Sequence, residues 1–330
     1  MNVLSLFDGM SCGRLALERA GFPVTNYFAS EIDKYAITVA KANFPDTVHL
    51  GDVTELQTHD GRLFVHDEQW QTLNKGAYKR KIDLLIGGSP CQGFSFAGKQ
   101  LNFDDPRSKL FFEYVRLLKA LKPKYFLLEN VNMKKEYQDV ISDLLGCKPV
   151  DINSNRVSAQ NRRRLYWTNI PVHALPENKH IYLKDILEDG FTDREKSHCI
   201  DANYFKGGNL KSYFEKNRRQ LVFDFDDPTA TGLQLAGEAD LKGHGYNRRV
   251  YHPDGKAPSL CAASGGNLEP KILHVEELKW RKLTPIECER LQTVPDNYTN
   301  HVSNTQRYRM LGNGWTIDVI CHLLEGMRNG

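Results

Sequence analysis

Through the first half of the chain, short apolar runs alternate with stretches whose apolar residues recur at helical spacing. Val3 to Phe7 predicts a strand that empties into the polar, glycine-bearing turn Asp8-Gly9-Met10-Ser11-Cys12-Gly13. A helical pattern then runs from Arg14 to Ala20 and stops at Gly21. A second strand, Tyr27 to Ser30, leads into Glu31-Ile32-Asp33. A helix with Tyr35, Ala36, Val39 and Ala40 on one face follows, closed by Pro45. The third strand, Val48 to Leu50, ends at Gly51-Asp52-Val53. Beyond a polar excursion, Gln57 to Lys81, come the apolar run Ile82 to Ile86, a helix from about Ser108 to Leu121 ended by Pro123, and the strand Tyr125 to Val131. This βαβα order predicts an open parallel sheet covered by helices on both faces.

Ligands of such sheets sit outside the carboxyl ends of the strands. Asp8, Glu31, Asp52, Cys91 and Glu129 each fall just after a predicted strand, so all five would line one edge. Solvated loop acids are the competing reading, and an ordinary buried thiol is the competing reading of Cys91. From Pro171 to Lys279 helical periodicity gives way to Gly, Asn, Asp and short β-prone runs, which predicts a smaller region of irregular strands and loops. Helix character then returns. Thr284, Pro285 and Glu287 fit an N-cap, N1 and N3 capping box, and a last helix is expected from about Trp315 to Met327.

Composition narrows the classes. At 330 residues the chain can hold one large domain or two moderate ones, and an apolar fraction of 40% is that of a globular protein. No apolar stretch approaches the roughly 20 residues that span a bilayer. The start, Asn2-Val3-Leu4-Ser5-Leu6-Phe7-Asp8-Gly9, has no leader character, so an intracellular protein is expected. The seven cysteines form no CxxC pair and the eleven histidines no HxxxH, which argues against a zinc site or a disulfide framework. A net charge of +3 is too small to identify a nucleic-acid partner.

The turn after the first strand lacks the G-x-G-x-x-G spacing of dinucleotide sites, which disfavours a nicotinamide cofactor. Glu31 could accept from a pair of ribose hydroxyls and Asp52 from an adenine amino group. A nucleoside without phosphates, S-adenosylmethionine, fits that inventory.

Eight motifs then occur in order: Phe7-Asp8-Gly9-Met10-Ser11-Cys12-Gly13; Glu31-Ile32-Asp33; Gly51-Asp52-Val53; Gly87 to Ser95; Leu127 to Val131; Gln160 to Arg164; Leu283 to Tyr298; and Arg309 to Trp315. On these the chain resembles the cytosine-5 DNA methyltransferases over nearly all its length except the variable region. It is closest in character to stand-alone bacterial or phage enzymes, with similarity to the catalytic domains of vertebrate de novo DNA methyltransferases. The resemblance implies an α/β fold: a class I S-adenosylmethionine-dependent methyltransferase sheet (Rossmann-like) made by 1–170 and 280–330, with a β-rich target-recognition domain over 171–279. It implies Cys91 as the nucleophile that adds to carbon 6 of a flipped-out cytosine, and Glu129 as the group holding the N3 and amino edge. It also implies Arg164 on the target base, Arg162 on the phosphates and the catalytic loop, and Gln160 as part of the same motif. On the cofactor side it implies Phe7 stacking on the adenine, with Asp8, Gly9, Ser11, Gly13, Glu31, Ile32, Asp52, Val53, Pro90 and Leu110 around it. Asn313 would bind the methionine carboxylate. Phe7 could equally be core filler, and the arginines a solvated strand.

The loop from Gln92 to Arg107 is a candidate lid, and Lys211, Arg218, Arg219, Arg248 and Arg249 are available for DNA. The expected partner is double-stranded DNA, with room for a cognate restriction endonuclease and none for a membrane or a metal. A monomer in a prokaryotic cytoplasm, at the nucleoid, follows. A cytosine-5 tRNA methyltransferase of the same fold and a catalytically dead DNA-binding scaffold are the alternatives.

Overall fold

The computed structural model describes residues 1–65, 79–89, 109–216, 218–223, 235–238, 249–251, 271–272 and 279–328. Numbering the strands of the central sheet alone, β1 (Asn2–Leu6) lies inside it, with β2 (Asn26–Ser30) and β3 (Val48–His49) added in turn on one side. On the other side stand β4 (Leu84–Gly87) and β5 (Tyr125–Val131), all five strands parallel. Two strands that sequence periodicity did not separate, β6 (Val150–Asn153) and β7 (Arg163–Thr168), complete the sheet. β7 is inserted antiparallel between β5 and β6, giving the order β3-β2-β1-β4-β5-β7-β6. This agrees with the expected class I methyltransferase sheet.

Side chains alternate between two apolar cores, as the two-residue period of a strand requires. Val3, Leu84, Ile86, Leu127 and Tyr166 face one core; Leu4, Leu6, Leu85, Leu128 and Trp167 face the other. The first core is closed by α1 (Cys12–Arg19), α2 (Lys34–Asn43) and the C-terminal helix Ile317–Glu325. The second is closed by α3 (Lys109–Leu121) and α4 (Lys135–Leu145), the latter not foreseen from sequence. Each Leu or Phe fully buried this way stabilises the fold by about 2 kcal/mol. Gly13 lets α1 approach the sheet closely: a Cβ there would lie 2.2 Å from Ile86 Cδ1, so a larger residue would have to push the Ile86 side chain aside.

Several expectations need adjustment. The polar excursion contains a three-stranded antiparallel sheet (Thr58–His59, Arg62–Phe64, Lys79–Arg80), because Leu63 and Val65 are buried in the second core. The described residues of 171–279 include a short helix, α5 (Leu210–Lys216), and short strands such as Leu221–Phe223, paired with Trp280–Lys282. Leu183, Ile186, Ile200, Tyr204 and Val222 from this region pack into the same core as β1 and α1. The capping box forms as expected on α6 (Pro285–Leu291): Glu287 N donates to Thr284 Oγ1 at 3.1 Å, and Thr284 N donates to Glu287 Oε2 at 2.8 Å. The last helix does not start at Trp315. The chain first forms α7 (Asn304–Asn313), breaks at Gly314, and begins α8 (Ile317–Glu325) two residues after Trp315. The Gly314 carbonyl is captured by Arg162 and Gln292 side chains, which draws the chain out of helix there.

Candidate active site

The strand order reverses between β1 and β4, and at this point the carboxyl ends of the strands open into a cavity of about 420 Å³. That volume is in the range of small-molecule pockets. Most of the sequence-predicted residues reach it. Phe7, Asp8, Gly9 and Gly13 come from the β1 turn and α1, Glu31 and Ile32 from the end of β2, and Asp52 and Val53 from the end of β3. Leu110 on α3, Glu129 on β5, Arg162, Arg164 on β7 and Asn313 at the end of α7 complete the group. Ser11 and Gln160 do not line the cavity. Pro90 and Cys91, the loop 92–107 and Arg248 lie outside the described residues. Ser89, just before Pro90, is buried in the cavity wall, where its Oγ accepts from Asn130 Nδ2 at 3.3 Å.

The cofactor-side turn is built by backbone geometry. Phe7 and Ser11 have φ of 56° and 62°, a left-handed conformation that bulky residues adopt rarely and mostly at functional turns. Glu31 holds this turn to β2: Oε2 accepts Gly9 N at 2.8 Å, and Oε1 accepts Ile32 N and Asp33 N, both at 2.8 Å. A carboxylate has about four acceptor positions, so roughly one is left for a ligand hydroxyl. Asp52 Oδ1 accepts Thr54 N and Thr54 Oγ1 at 2.9 Å each, leaving Oδ2 without a partner among the described residues. Ile32 is 73% exposed, an apolar side chain left open at the cavity rim. Open acceptors beside an apolar wall suit a sugar and a base, and so fit a nucleoside cofactor.

Asp8 differs from these acids because it is buried. Ser11 Oγ donates to its Oδ2 at 2.5 Å and Tyr27 OH to its Oδ1 at 2.7 Å. Burial nonetheless raises its pKa to about 6, with the neighbouring Glu31 charge adding to the rise. Cys12 also lines the cavity, but burial lifts its thiol to about 12, so it stays protonated and unreactive.

The opposite wall carries a second carboxylate held by side chains. Glu129 Oε1 forms an ion pair with Arg164 Nε at 3.0 Å, without the alignment of a hydrogen bond. Glu129 Oε2 accepts from Trp315 Nε1 at 3.2 Å. Gly88 makes room: a Cβ there would sit 3.0 Å from both Glu129 Oε2 and Trp315 Nε1.

The arginine motif divides differently from expectation. Arg162, expected on the phosphates and the catalytic loop, is buried, and its guanidinium donates to the carbonyls of Ile200 at 3.1 Å, Gly312 at 3.1 Å and Gly314 at 2.8 Å. An arginine engaged this way holds chain segments together at the cavity wall; the catalytic loop lies outside the described residues. Gln160 is likewise fully buried, donating to Leu291 O at 2.9 Å and Gln292 Oε1 at 3.0 Å. Arg163 is exposed and paired with Asp151, a surface contact. Sequence reasoning missed Trp315 and Cys199. The Cys199 Sγ lies 3.2 Å from Arg162 Nη1 and 3.8 Å from Arg164 Nη2. Desolvation raises its thiol pKa, but the two guanidiniums outweigh it and leave the pKa lowered. The only available signal for Trp315 was its place in Leu311-Gly312-Asn313-Gly314-Trp315.

A cavity at the switch point of a seven-stranded, mostly parallel sheet with one antiparallel strand is the arrangement of a class I methyltransferase fold. The model of the C-5 cytosine-specific DNA methylases matches residues 1–329, and the chain belongs to that family. It is a DNA cytosine-5 methyltransferase. Among its relatives is the type II methyltransferase M1.ScrFI of Lactococcus lactis subsp. cremoris, 30% identical over 98% of this chain and 77% of the relative. M.HhaI of Haemophilus parahaemolyticus is 27% identical over 98% of this chain and 93% of its own. The Entamoeba histolytica methyltransferase EhMeth shares the fold, with a TM-score of 0.65 at 17% identity, covering 100% of this chain and 98% of that one.

Proposed function

We propose that the enzyme transfers a methyl group from S-adenosylmethionine to carbon 5 of a cytosine flipped out of duplex DNA, with Cys91 as nucleophile. The observation that supports this most is the position of Glu129 in the same cavity as Glu31 and Asp52. One wall then suits a nucleoside cofactor, and the other offers a fixed carboxylate to a second planar ligand. Glu31 and Asp52 would hold the ribose and adenine, Phe7 and Ile32 would supply the apolar wall, and Asn313 would take the methionine end. The cofactor supplies an electrophilic methyl group.

Carbon 5 of cytosine is a poor nucleophile. The Cys91 thiolate would add to carbon 6, moving the ring electrons onto carbon 5. Glu129 would hold the N3 and amino edge, and Arg164 the base carbonyl side, as charge develops. Once carbon 5 has taken up the methyl group, loss of its proton to a base and departure of the Cys91 thiolate would restore the aromatic ring. Reaching carbon 5 requires extrusion of the base, at a cost of a few kcal/mol. Residues 171–279 would read the DNA sequence, in the prokaryotic setting that the type II relatives suggest.

Cys91→Ala should abolish transfer while leaving S-adenosylmethionine binding intact. Duplex DNA with 5-fluorocytosine in the target site should form a complex that survives a denaturing gel. Turnover by Cys91→Ala, or the absence of that band, would contradict the covalent route. Methylation of tRNA in preference to duplex DNA would contradict the substrate, and bisulfite sequencing of DNA from expressing cells would give the site.

A further inference from the structure

Glu129 can orient a base only if its own carboxyl group is held still. Arg164 accounts for one oxygen, through an ion pair at 3.0 Å. The second oxygen faces Trp315, and the chain around Trp315 is fixed from both sides. Arg162 Nη2 and Gln292 Nε2 both donate to Gly314 O, at 2.8 and 3.3 Å, immediately before it. Thr316 Oγ1 donates to Gln292 Oε1 at 2.9 Å immediately after it. Gln160 Nε2 shares that same Gln292 Oε1 at 3.0 Å, and Gln292 Nε2 donates to Leu311 O at 2.6 Å. Gln160, Gln292 and Thr316 are all buried. A buried polar network with every member paired is rigid, because releasing any bond strands a group away from water. This network flanks Trp315 on both sides, and Trp315 donates its indole N–H to Glu129.

We propose that Trp315 is a positioning residue for Glu129: its indole N–H, set by the Arg162, Gln160 and Gln292 clamp, fixes the carboxyl plane in which Glu129 meets the target base. This rests on the reading of Glu129 as the group that holds the base. It gives the buried motif residues Arg162 and Gln160 a function through the Gly314–Trp315 backbone without contact to the reacting atoms. Gly88 belongs to the same device, because its missing side chain is what allows the indole and carboxyl to meet.

Trp315→Phe keeps an aromatic ring and removes the indole N–H together with the bulk of the five-membered ring; a Glu129→Ala background separates the two losses. The substitution should lower kcat about tenfold, the size of one hydrogen bond to a charged group, with the KM values for cofactor and DNA within about twofold. In a Glu129→Ala background the same change should cause no further loss. A raised cofactor KM with unchanged kcat would make Trp315 a cofactor wall and overturn the proposal, as would an unchanged kcat. If Glu129→Ala itself turns over normally, it is the base-holding reading that fails, a result separable from the Trp315 outcomes. A second readout needs no turnover. The indole ¹⁵N–¹H resonance of Trp315, assigned by its absence in Trp315→Phe, should shift in Glu129→Ala while the other tryptophan signals stay in place. An unmoved Trp315 resonance would overturn the proposal.

Discussion

The two carboxylates on facing walls of the cavity are held by opposite means. Glu31 is fixed by backbone N–H groups at Gly9, Ile32 and Asp33, two of them within two residues of it in the chain. Glu129 is held by side chains from distant segments: Arg164 on β7 and Trp315 after α7, the latter 186 residues away. Backbone donors are fixed by the fold itself and hardly depend on side-chain identity. Side-chain donors depend on residue identity, and each is open to change by a single substitution. The cofactor wall is therefore a cradle made rigid by backbone, and the base wall one held by side chains and adjustable by mutation.

The largest effect that tests this contrast comes from removing each carboxylate. Glu129→Ala should lower turnover about 10³-fold, in the range of a lost proton-transfer or charge-holding group, with thermal stability nearly unchanged. Glu31→Ala should do the reverse in part. It removes the acceptor of three backbone donors, two of them part-buried, and should destabilise the protein by about 1 kcal/mol, visible as a lower Tm, while weakening cofactor binding in calorimetry. If Glu129→Ala unfolded the protein and Glu31→Ala left Tm unchanged, the contrast would be inverted.

A smaller effect probes the adjustable wall alone. Lysine carries the charge of Arg164 but has no planar fork, so Arg164→Lys should keep an ion pair with Glu129 while losing orientation. A fall in kcat of about 10- to 100-fold, with cofactor affinity held, is expected in steady-state assays. Equal activity would mean that Glu129 needs only charge nearby.

What the sequence revealed follows the same division. The strand ends carrying Glu31, Asp52 and Glu129 were readable because each acid follows a local apolar run. The capping box at Thr284 was readable because its partners are three residues apart. The burial of Arg162 and Gln160 was not legible, since nothing in Gln160 to Arg164 announces that their partners include Ile200, Leu291 and Gly314. The last helix, expected from about Trp315, begins at Ile317, because the Gly314 carbonyl is captured by Arg162 and Gln292 from other segments and Trp315 stays outside the helix. Strand β7 was missed for a related reason: its arginines hide the alternation that Leu165 and Trp167 on one face and Tyr166 on the other make plain once the sheet is formed.

The smallest expected effect concerns Asp8, which belongs to the rigid wall yet carries a titratable group inside it. Its pKa is raised from 3.8 to about 6 in the folded protein, so the native state binds a proton that the unfolded chain has already released between those values. Stability therefore gains from this group at low pH and loses the gain as pH rises through about 6. Asp8→Asn is isosteric and neutral and should remove that dependence. Its loss of an acceptor for Ser11 or Tyr27 would add only a constant offset. Denaturant unfolding at about pH 5 and about pH 7 should show the stability of Asp8→Asn relative to the parent improving by about 1 kcal/mol across that interval. The change in difference is the test, because other titrating groups are common to both proteins. A difference that stays flat between the two pH values would mean that Asp8 is ionised throughout, and that the cradle holds a buried charge on the hydroxyls of Ser11 and Tyr27.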